Sequence, residues 1–136
     1  MTNSVYPSLL EYFLEFLVNN DVKASLIDTT VYTYTPSTDK YYSSIPSNAI
    51  ISSGVLLTGK TGTLGEFMAD DCQWNSVEGN QVGAVVFYQD TGDSATSRLV
   101  AYFDTISGVP FTPNGSSVSL SWDKTAGYIF KIKTGE

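Results

Sequence analysis

The feature that most constrains this chain is a change of hydrophobic period near residue 21. From Val22 onward, apolar and polar side chains alternate with a period of two, as in Val22-Lys23-Ala24-Ser25-Leu26. A period of two sends successive side chains to opposite faces of a strand, so one face can be buried while the other meets water. The alternation predicts that most of the chain forms β-structure.

Runs rich in β-branched and aromatic residues predict further short strands between turn signals. We expect strands at residues 29–34, 49–52, 55–58, 73–77, 83–89, 97–104, 118–122 and 128–133, and a helical turn at 41–45. Residues 78–80, 90–93 and 113–115 have the composition of hairpin loops. Short, regularly spaced strands are typical of antiparallel sandwiches and barrels. The predicted fold is therefore mainly β, an antiparallel β-sandwich or partly open barrel.

Residues 8–19 show the helical period instead. At about 100° per residue, one broad apolar face holds Leu9, Leu10, Phe13, Phe16 and Leu17. Ser8 and Glu11 have the spacing of a capping box at the start of this amphipathic helix. We expect an N-terminal helical arm over residues 1–21 and a β-sandwich domain over residues 22–136. The apolar face must be buried, either on the chain's own sandwich or against a neighbouring subunit, and the sequence leaves both open.

Composition limits the classes of partner. With 136 residues and 42% hydrophobic content, the chain is long enough for one domain with a core. It carries 7 Lys and Arg against 14 Asp and Glu, a formal net charge of -7. Binding to phosphate backbones or anionic lipid requires a basic surface, so we expect neither nucleic acid nor membrane as a partner.

The start of the chain and its cysteine usage predict a cellular compartment. No basic, apolar leader opens the sequence, and the single cysteine, Cys72, has no partner for an internal disulfide. Both features indicate folding in a reducing cytoplasm. The apolar stretch at residues 9–18 is interrupted by Glu11 and Glu15 and is too short to span a bilayer.

Two motifs match catalytic signatures but lack their required context. Gly54-Val55-Leu56-Leu57-Thr58-Gly59-Lys60-Thr61 fits the phosphate-loop pattern, yet Gly62-Thr63-Leu64-Gly65 is a poor helix opening. Asp90-Thr91-Gly92 fits the aspartic-protease tripeptide, yet such enzymes need two copies and the chain has one. We interpret the first motif as a strand entering a Gly-rich turn and the second as a hairpin tip.

Other side chains that could carry chemistry are sparse. The chain has no histidine, which removes the commonest general base and most zinc sites. Asp70-Asp71 near Glu66, and Asp90 with Asp93, supply too few oxygens for calcium. Acidic neighbours raise the pKa of Cys72 and so make it less reactive. The sequence assigns no catalytic residue, no metal and no cofactor, and predicts that the chain is not an enzyme.

Aromatic residues make up 13% of the chain and could form a stacking platform for sugars or bases. The candidates are Tyr32, Tyr34, Tyr41, Tyr42, Trp74, Phe87, Tyr88, Tyr102, Phe103 and Trp122. Aromatic residues in strands more often pack in cores or in cross-strand pairs. Tyr41 and Tyr42 lie between turn signals, so we expect these two side chains to be exposed.

A series of turn-and-strand motifs runs in order from Val22 to Ile132. The motifs are Val22-Lys23-Ala24-Ser25-Leu26-Ile27-Asp28, Tyr41-Tyr42 before Ile45-Pro46, Ala69-Asp70-Asp71, Glu78-Gly79-Asn80-Gln81, Val85-Val86-Phe87-Tyr88-Gln89-Asp90-Thr91-Gly92, Ser97-Arg98-Leu99-Val100-Ala101-Tyr102-Phe103-Asp104, Pro110 with Thr112-Pro113-Asn114-Gly115, Val118-Ser119-Leu120-Ser121-Trp122-Asp123, and Ile129-Phe130-Lys131-Ile132. This order resembles that of small virion proteins of tailed bacteriophages. The resemblance implies a β-sandwich structural subunit of the particle, with no catalytic residues to carry over.

From this resemblance we expect a capsid decoration, or cement, protein that binds and stabilises the assembled head lattice. The alternatives are a neck or tail protein at a fibre-attachment site and a carbohydrate-binding β-sandwich module. The expected partners are the major capsid protein or other virion subunits, together with further copies of this chain. The expected location is the virion, after synthesis in the host cytoplasm. The expected interface residues are Leu9, Leu10, Phe13, Phe16, Leu17, Tyr41 and Tyr42.

Overall fold

The structure, a computed structural model, describes residues 4–132. Within this range one α-helix, α1 (Pro7–Asn19), precedes nine strands. The strands are β1 (Val22–Ile27), β2 (Ile50–Leu56), β3 (Thr61–Thr63), β4 (Glu66–Met68), β5 (Cys72–Trp74), β6 (Ala84–Gln89), β7 (Arg98–Phe103), β8 (Val118–Leu120) and β9 (Phe130–Lys131). The prediction of a mainly β, sandwich-like fold with one N-terminal helix is confirmed.

The strands form three antiparallel sheets around a main core. One sheet has four strands in the order β2-β1-β6-β7, a second has the order β3-β4-β9, and the third pairs β5 with β8. Phe67, Trp74 and Trp122 bring the smaller sheets and their flanking residues into the same core as the large sheet. The Trp74 indole Nε1 also donates a buried hydrogen bond of 3.1 Å to the Ala24 carbonyl of β1. The sheets are therefore joined by both apolar packing and a polar contact.

The two central strands of the large sheet are covered on both faces. Alternate residues of β1 and β6 join the main core (Val22, Ala24, Leu26, Val85 and Phe87). The intervening residues join a second cluster with the segment between β1 and β2 (Ile27, Ala84 and Val86 with Tyr32, Ile45 and Ala49). Residues 28–49 therefore cover the second face of the sheet, where the sequence pattern predicted contact with water.

The predicted strand at residues 29–34 is wrong. Asp28 ends β1 because its carboxylate Oδ1 accepts hydrogen bonds from the Thr30 amide (2.9 Å) and the Thr30 hydroxyl (2.6 Å). The Val31 and Tyr32 amides both donate to the Asp28 carbonyl, which turns the chain. This local hydrogen bonding overrides the β-propensity of the Thr and Tyr residues. The helical turn predicted at 41–45 is present as a short 3₁₀ turn, Tyr42–Ser44.

Residues 49–68 also differ from the sequence prediction. The two strands predicted at 49–52 and 55–58 are one strand, β2, whose register against β1 shifts in two places. The β3–β4 hairpin was not predicted. Its two-residue turn is Leu64-Gly65, with φ of 53° and 86°, and positive φ at both positions matches the twist of a tight hairpin. Leu64 gave no turn signal because leucine rarely adopts this conformation.

Only one of the three predicted hairpin loops joins paired strands. Residues 90–93 connect β6 to its neighbour β7. Residues 78–80 and 113–115 connect strands of different sheets, so those two predictions are wrong. Residue 133 of the last predicted strand lies outside the described residues, as do residues 1–3 and 134–136 of the predicted domains.

Helix α1 packs on the β3–β4 hairpin of its own chain. Leu10 and Leu14 are only 3% and 2% exposed, and Leu14 belongs to the main core. The helix approaches closely because the hairpin presents glycines. A Cβ atom at Gly62 would lie 2.6 Å from the Leu14 Cβ, and one at Gly65 would lie 3.0 Å from the Leu10 Cβ. The division of the chain at residue 21 stays a prediction, but the helix shares the core of the strands.

The predicted capping box is wrong. The N-cap position is Tyr6, Pro7 occupies the first turn, and no side chain caps the helix. Proline is suited to the first turn because its missing N–H would have no helical partner there. The Glu11 carboxylate instead accepts a hydrogen bond of 3.2 Å from the Leu64 amide. It therefore ties the helix to the hairpin turn.

The close contact between α1 and Gly62 of the hairpin can be tested by adding one methyl group at that glycine. We expect Gly62→Ala to lower the free energy of unfolding by about 1–3 kcal/mol, the usual cost of overpacking, because its Cβ overlaps Leu14. Urea unfolding followed by tryptophan fluorescence measures the change. Thr61→Ala, on the same strand but exposed, is the control and should cost far less. Equal stability of the two variants would contradict the close contact.

Candidate interaction surface

The apolar face predicted for the helix is divided by the structure. Leu10 is buried and Leu17 is half-buried, and both pack within this chain. Leu9, Phe13 and Phe16 are on the other side, 44%, 54% and 53% exposed. Leu14, which the sequence analysis did not assign to this face, is the most buried residue of the helix. The prediction of a single shared face is corrected: the buried stripe lies roughly a quarter turn away from its predicted centre, at about 100° per residue.

The exposed side of α1 is a continuous aromatic surface. Tyr12, 66% exposed, lies beside Phe13 and Phe16, and a shallow depression between them is closed by Asn19 and Asn20. We call Leu9, Tyr12, Phe13 and Phe16 the helix patch. A whole aromatic side chain has a surface of about 150–250 Å², and the residues of the helix patch are 44–66% exposed, so the patch amounts to a few hundred Å² of mostly apolar surface. Patches of this size on soluble domains are commonly binding surfaces.

The helix patch is held in place by the opposite side of the helix. Its backbone position is determined by buried Leu10 and Leu14 and by the Glu11 contact to Leu64. Lys60 adds a contact at the C-terminal end, because its ammonium donates to the carbonyls of Leu17 (2.9 Å) and Asn20. A cation is favourable there because the carbonyls at a helix C-terminus carry partial negative charge. The patch is therefore presented on an anchored helix.

The contact of Lys60 with the end of α1 gives the lysine of the phosphate-loop motif a structural role. Partial burial lowers the pKa of Lys60, and its ammonium is engaged by helix carbonyls. The strand before it, β2, leads to the short strand β3 and its hairpin, not to a helix. Gly59 has φ of 64° and lies against the Asp70 carboxylate, which would repel a phosphate. Gly59, Lys60 and Thr61 therefore join the sheets and cap α1.

Asp90-Thr91-Gly92 is likewise used within the fold. The Asp90 carboxylate accepts the Gly92 amide at 3.0 Å and forms an ion pair with Lys23 at 3.0 Å. The Gly92 hydrogen bond, followed by the Lys23 contact, lowers the pKa of Asp90. The Thr91 hydroxyl bonds to the Thr96 and Ser97 hydroxyls across the loop. These contacts shape the β6–β7 turn.

Asp71, from the acidic pair Asp70-Asp71, and the neighbouring Cys72 are both engaged in contacts within the fold. Asp71 forms an ion pair of 3.1 Å with Lys124, whose hydrogen bond is the main reason that the Asp71 pKa is lowered. Cys72 is buried, and that burial, aided by the charge of Asp71, raises its pKa to about 11. Within residues 4–132, no group of three or more His, Cys, Asp or Glu side chains is arranged to hold a metal ion.

Tyr41 and Tyr42 are not the exposed pair that the sequence predicted. The Tyr42 ring stacks on Tyr88, with centroids 3.8 Å apart and planes 12° apart, and its hydroxyl bonds to Ser25 Oγ at 2.7 Å. Tyr41 is half-buried beneath the guanidinium of Arg98, which lies 5.2 Å from the ring centroid. Both rings are therefore occupied by intramolecular contacts, which corrects the prediction that these two side chains are exposed.

A second feature, absent from the predicted interface, lies where residues 32–39 meet β7. The recess measures about 200 Å³, and its lining includes Tyr32, Tyr34, Tyr102 and Asp39 together with Pro36 and apolar residues of β6 and β7. The three tyrosines are among the aromatic candidates of the sequence, but no sequence pattern groups them with Asp39. Their proximity depends on the turn at Asp28, which lays this segment across the sheet.

No helix among the described residues is both long and apolar enough to cross a membrane. No protein-family model matches the sequence, and comparison with curated proteins gives no significant match. The interface role of Leu9, Phe13 and Phe16 stays a prediction, and these three side chains are exposed. The other predicted interface residues are engaged in contacts within the chain.

The role of Lys60 can be separated from nucleotide binding. We expect Lys60→Met to lower the free energy of unfolding by about 0.5–1 kcal/mol, the usual value of a charge at a helix end. Lys40→Met, which removes an exposed lysine, is the matched control. Addition of Mg-ATP should leave the melting temperature of the wild-type protein unchanged. Stabilisation by Mg-ATP that Lys60→Met abolishes would contradict the structural role.

The Tyr42 environment predicts a dependence on alkaline pH. Burial raises the pKa of Tyr42 to about 12, whereas an unfolded tyrosine ionises at about 10. The contribution of Tyr42 to stability is therefore complete below pH 10 and is lost as the pH rises from 10 towards 12. Urea midpoints measured across this window should fall less steeply for Tyr42→Phe than for the wild-type protein. Parallel slopes would show that the Tyr42 phenol is not protected.

Proposed function

We propose that this protein is a structural subunit of a bacteriophage particle, a decoration protein that binds and stabilises the assembled head. The observation that carries the proposal is the helix patch, an apolar surface presented to the outside on an anchored helix. The resemblance of residues 22–132 to small tailed-phage virion proteins supplies the class of assembly. Together they favour a protein that acts by docking.

The helix patch has the composition of a protein-binding surface. Tyr and Phe are enriched in the central parts of protein interfaces, whereas charged residues are depleted there. Tyr12, Phe13 and Phe16 form the middle of the patch, and Glu15 lies at its border. Such aromatic residues often contribute most of the binding free energy, because they bury a large area with few rotatable bonds. The patch therefore supports binding to a preformed apolar surface on a coat subunit.

The mechanism of stabilisation is thermodynamic linkage. A protein that binds the assembled shell, and not the free coat subunits, shifts the equilibrium towards the shell. Many copies on a lattice add their contributions, so a modest affinity per site is sufficient. The acidic loops of this chain, with a net charge of -7 overall, would favour a coat surface with basic character. The proposal requires no catalytic step.

Abundance on the particle is the first test. Quantitative mass spectrometry of purified virions should find this polypeptide in hundreds of copies if it decorates the head. About three to twelve copies would instead indicate the neck or tail, where rings of closed symmetry are usual. Absence from the virion would reject the proposal.

The helix patch provides a second test on the same particles. We expect Phe13→Ser combined with Phe16→Ser to weaken binding to undecorated heads by at least about tenfold, because two aromatic anchors are removed. Co-sedimentation with the particles measures the loss. Val31→Ser combined with Leu56→Ser removes apolar residues of similar exposure elsewhere and should bind normally. Equal binding of both double variants would exclude the helix patch as the docking surface.

A further inference from the structure

The recess beside β7 is lined by aromatic rings and one carboxylate. Its walls are Tyr32, Tyr34 and Tyr102, with Asp39 at one side and apolar residues of β7 and β6 behind them. The Tyr32 and Tyr102 rings stand 58° apart in plane with centroids separated by 6.4 Å, so they form a corner. Tyr34 stacks face to face on Tyr102, with centroids 4.2 Å apart and planes 12° apart, so each ring covers one face of the other. Tyr34 is 51% exposed, whereas Tyr32 is 5% exposed and lies at the base of the recess.

The electrostatic character of the recess is negative. Aromatic faces carry negative partial charge, and Asp39 adds a carboxylate whose Oδ2 accepts the Tyr32 hydroxyl at 2.6 Å. Burial is the main cause that raises the pKa of Tyr32, so its hydroxyl remains a donor that orients Asp39. None of the lining residues is Lys or Arg, and within residues 4–132 no salt bridge engages Asp39. An anion is therefore disfavoured in this recess, and a cation is favoured.

The size of the recess limits the ligand. Its volume of about 200 Å³ is below the roughly 300–1,000 Å³ typical of pockets for drug-sized molecules. A compact cationic group therefore fits better than an extended one. An ammonium that carries methyl groups combines a positive charge with an apolar surface, which is the combination that aromatic cages recognise.

A peptide added as a strand is a weaker candidate. β7 is an edge strand, but Leu99 already donates to the Lys40 carbonyl, and Tyr41 bridges to Arg98, so its first half is paired. The register of β7 against β6 then shifts opposite Phe87 and Tyr88. Such a bulge interrupts the regular row of donors and acceptors that strand addition requires.

We propose that the recess formed by Tyr32, Tyr34, Tyr102 and Asp39 binds a methylated or quaternary ammonium group. Two sources share this chemistry: a choline group and a methylated lysine side chain. The methyl groups contact the ring surfaces that the Tyr34–Tyr102 stack leaves uncovered, and the Asp39 carboxylate balances the charge. This site contains no residue of α1, so it is independent of the docking function proposed for the helix patch.

The test compares ligands that differ in one property. Isothermal titration at constant ionic strength should give saturable binding of choline in the millimolar range. The neutral isostere 3,3-dimethyl-1-butanol, which has the same shape without the charge, should bind at least about tenfold more weakly. Nε-trimethyl-lysine and unmodified lysine form the second pair, and only the methylated form should bind. The tighter of choline and trimethyl-lysine identifies the source.

Variants of the recess make the assignment specific. Asp39→Asn keeps an acceptor for Tyr32 but removes the charge, and Tyr34→Leu removes an exposed ring; each should weaken choline binding by about three- to tenfold. Tyr34→Phe keeps the ring and should retain affinity. Glu78→Gln, an exposed acid elsewhere, controls for net charge and should have no effect. Particle binding by Tyr34→Leu should be normal, which separates this site from the helix patch.

Several outcomes would overturn the proposal. They are the absence of saturable choline binding, equal binding of choline and its neutral isostere, and equal binding of lysine and trimethyl-lysine. Binding of methyl glucoside without binding of choline would assign the recess to sugars instead. Circular dichroism of each variant verifies folding, and the conservative Tyr34→Phe variant keeps the comparison valid if Tyr34→Leu unfolds.

Discussion

The burial of the β1–β6 strand pair on both faces is the constraint on which the rest of the structure depends. These strands are the centre of the largest sheet, and almost every residue in them is inaccessible to solvent. Strands of two or three residues, such as β5, β8 and β9, cannot be stable alone. They persist because Trp74 and Phe67 are buried in the same core as the central pair, and because the Trp74 indole donates a hydrogen bond to the Ala24 carbonyl. Burial of β1 and β6 thus organises both the small sheets and the covering segment.

The helix illustrates how a close backbone contact selects one of several possible packings. A wide apolar face can be buried at many rotations, and the choice depends on the surface that it meets. Here Gly62 and Gly65 remove the side chains that would separate helix from hairpin, so Leu10 and Leu14 descend onto the backbone. In this rotation of the helix Phe13 and Phe16 remain exposed to water, which is unfavourable for an isolated domain. That unfavourable exposure is the physical reason to expect a partner.

The polar residues that match catalytic or phosphate-binding motifs form hydrogen bonds at the ends of strands and of the helix in this fold. A protein made of short strands has numerous turns, and each leaves backbone groups that need hydrogen-bond partners. Asp28 terminates β1, Asp90 shapes the turn between β6 and β7, and Lys60 satisfies carbonyls at the end of α1. Phosphate loops and catalytic aspartates use the same residue types for their own turns. A motif match therefore acquires meaning only from the elements that flank it.

The sequence by itself determined the class of fold, the position of the helix, and most strands, because periods of two and 3.6 residues are local properties of the chain. β6 and β7 were predicted nearly in full for this reason. The tertiary structure alone decided that residues 29–34 turn at Asp28, that Leu64-Gly65 makes a hairpin, and which side of α1 faces outwards. It also decided that Tyr32, Tyr34 and Tyr102 meet Asp39. These outcomes depend on contacts between residues distant in sequence, or on local hydrogen bonds that compete with strand propensity, and neither leaves a periodic signal.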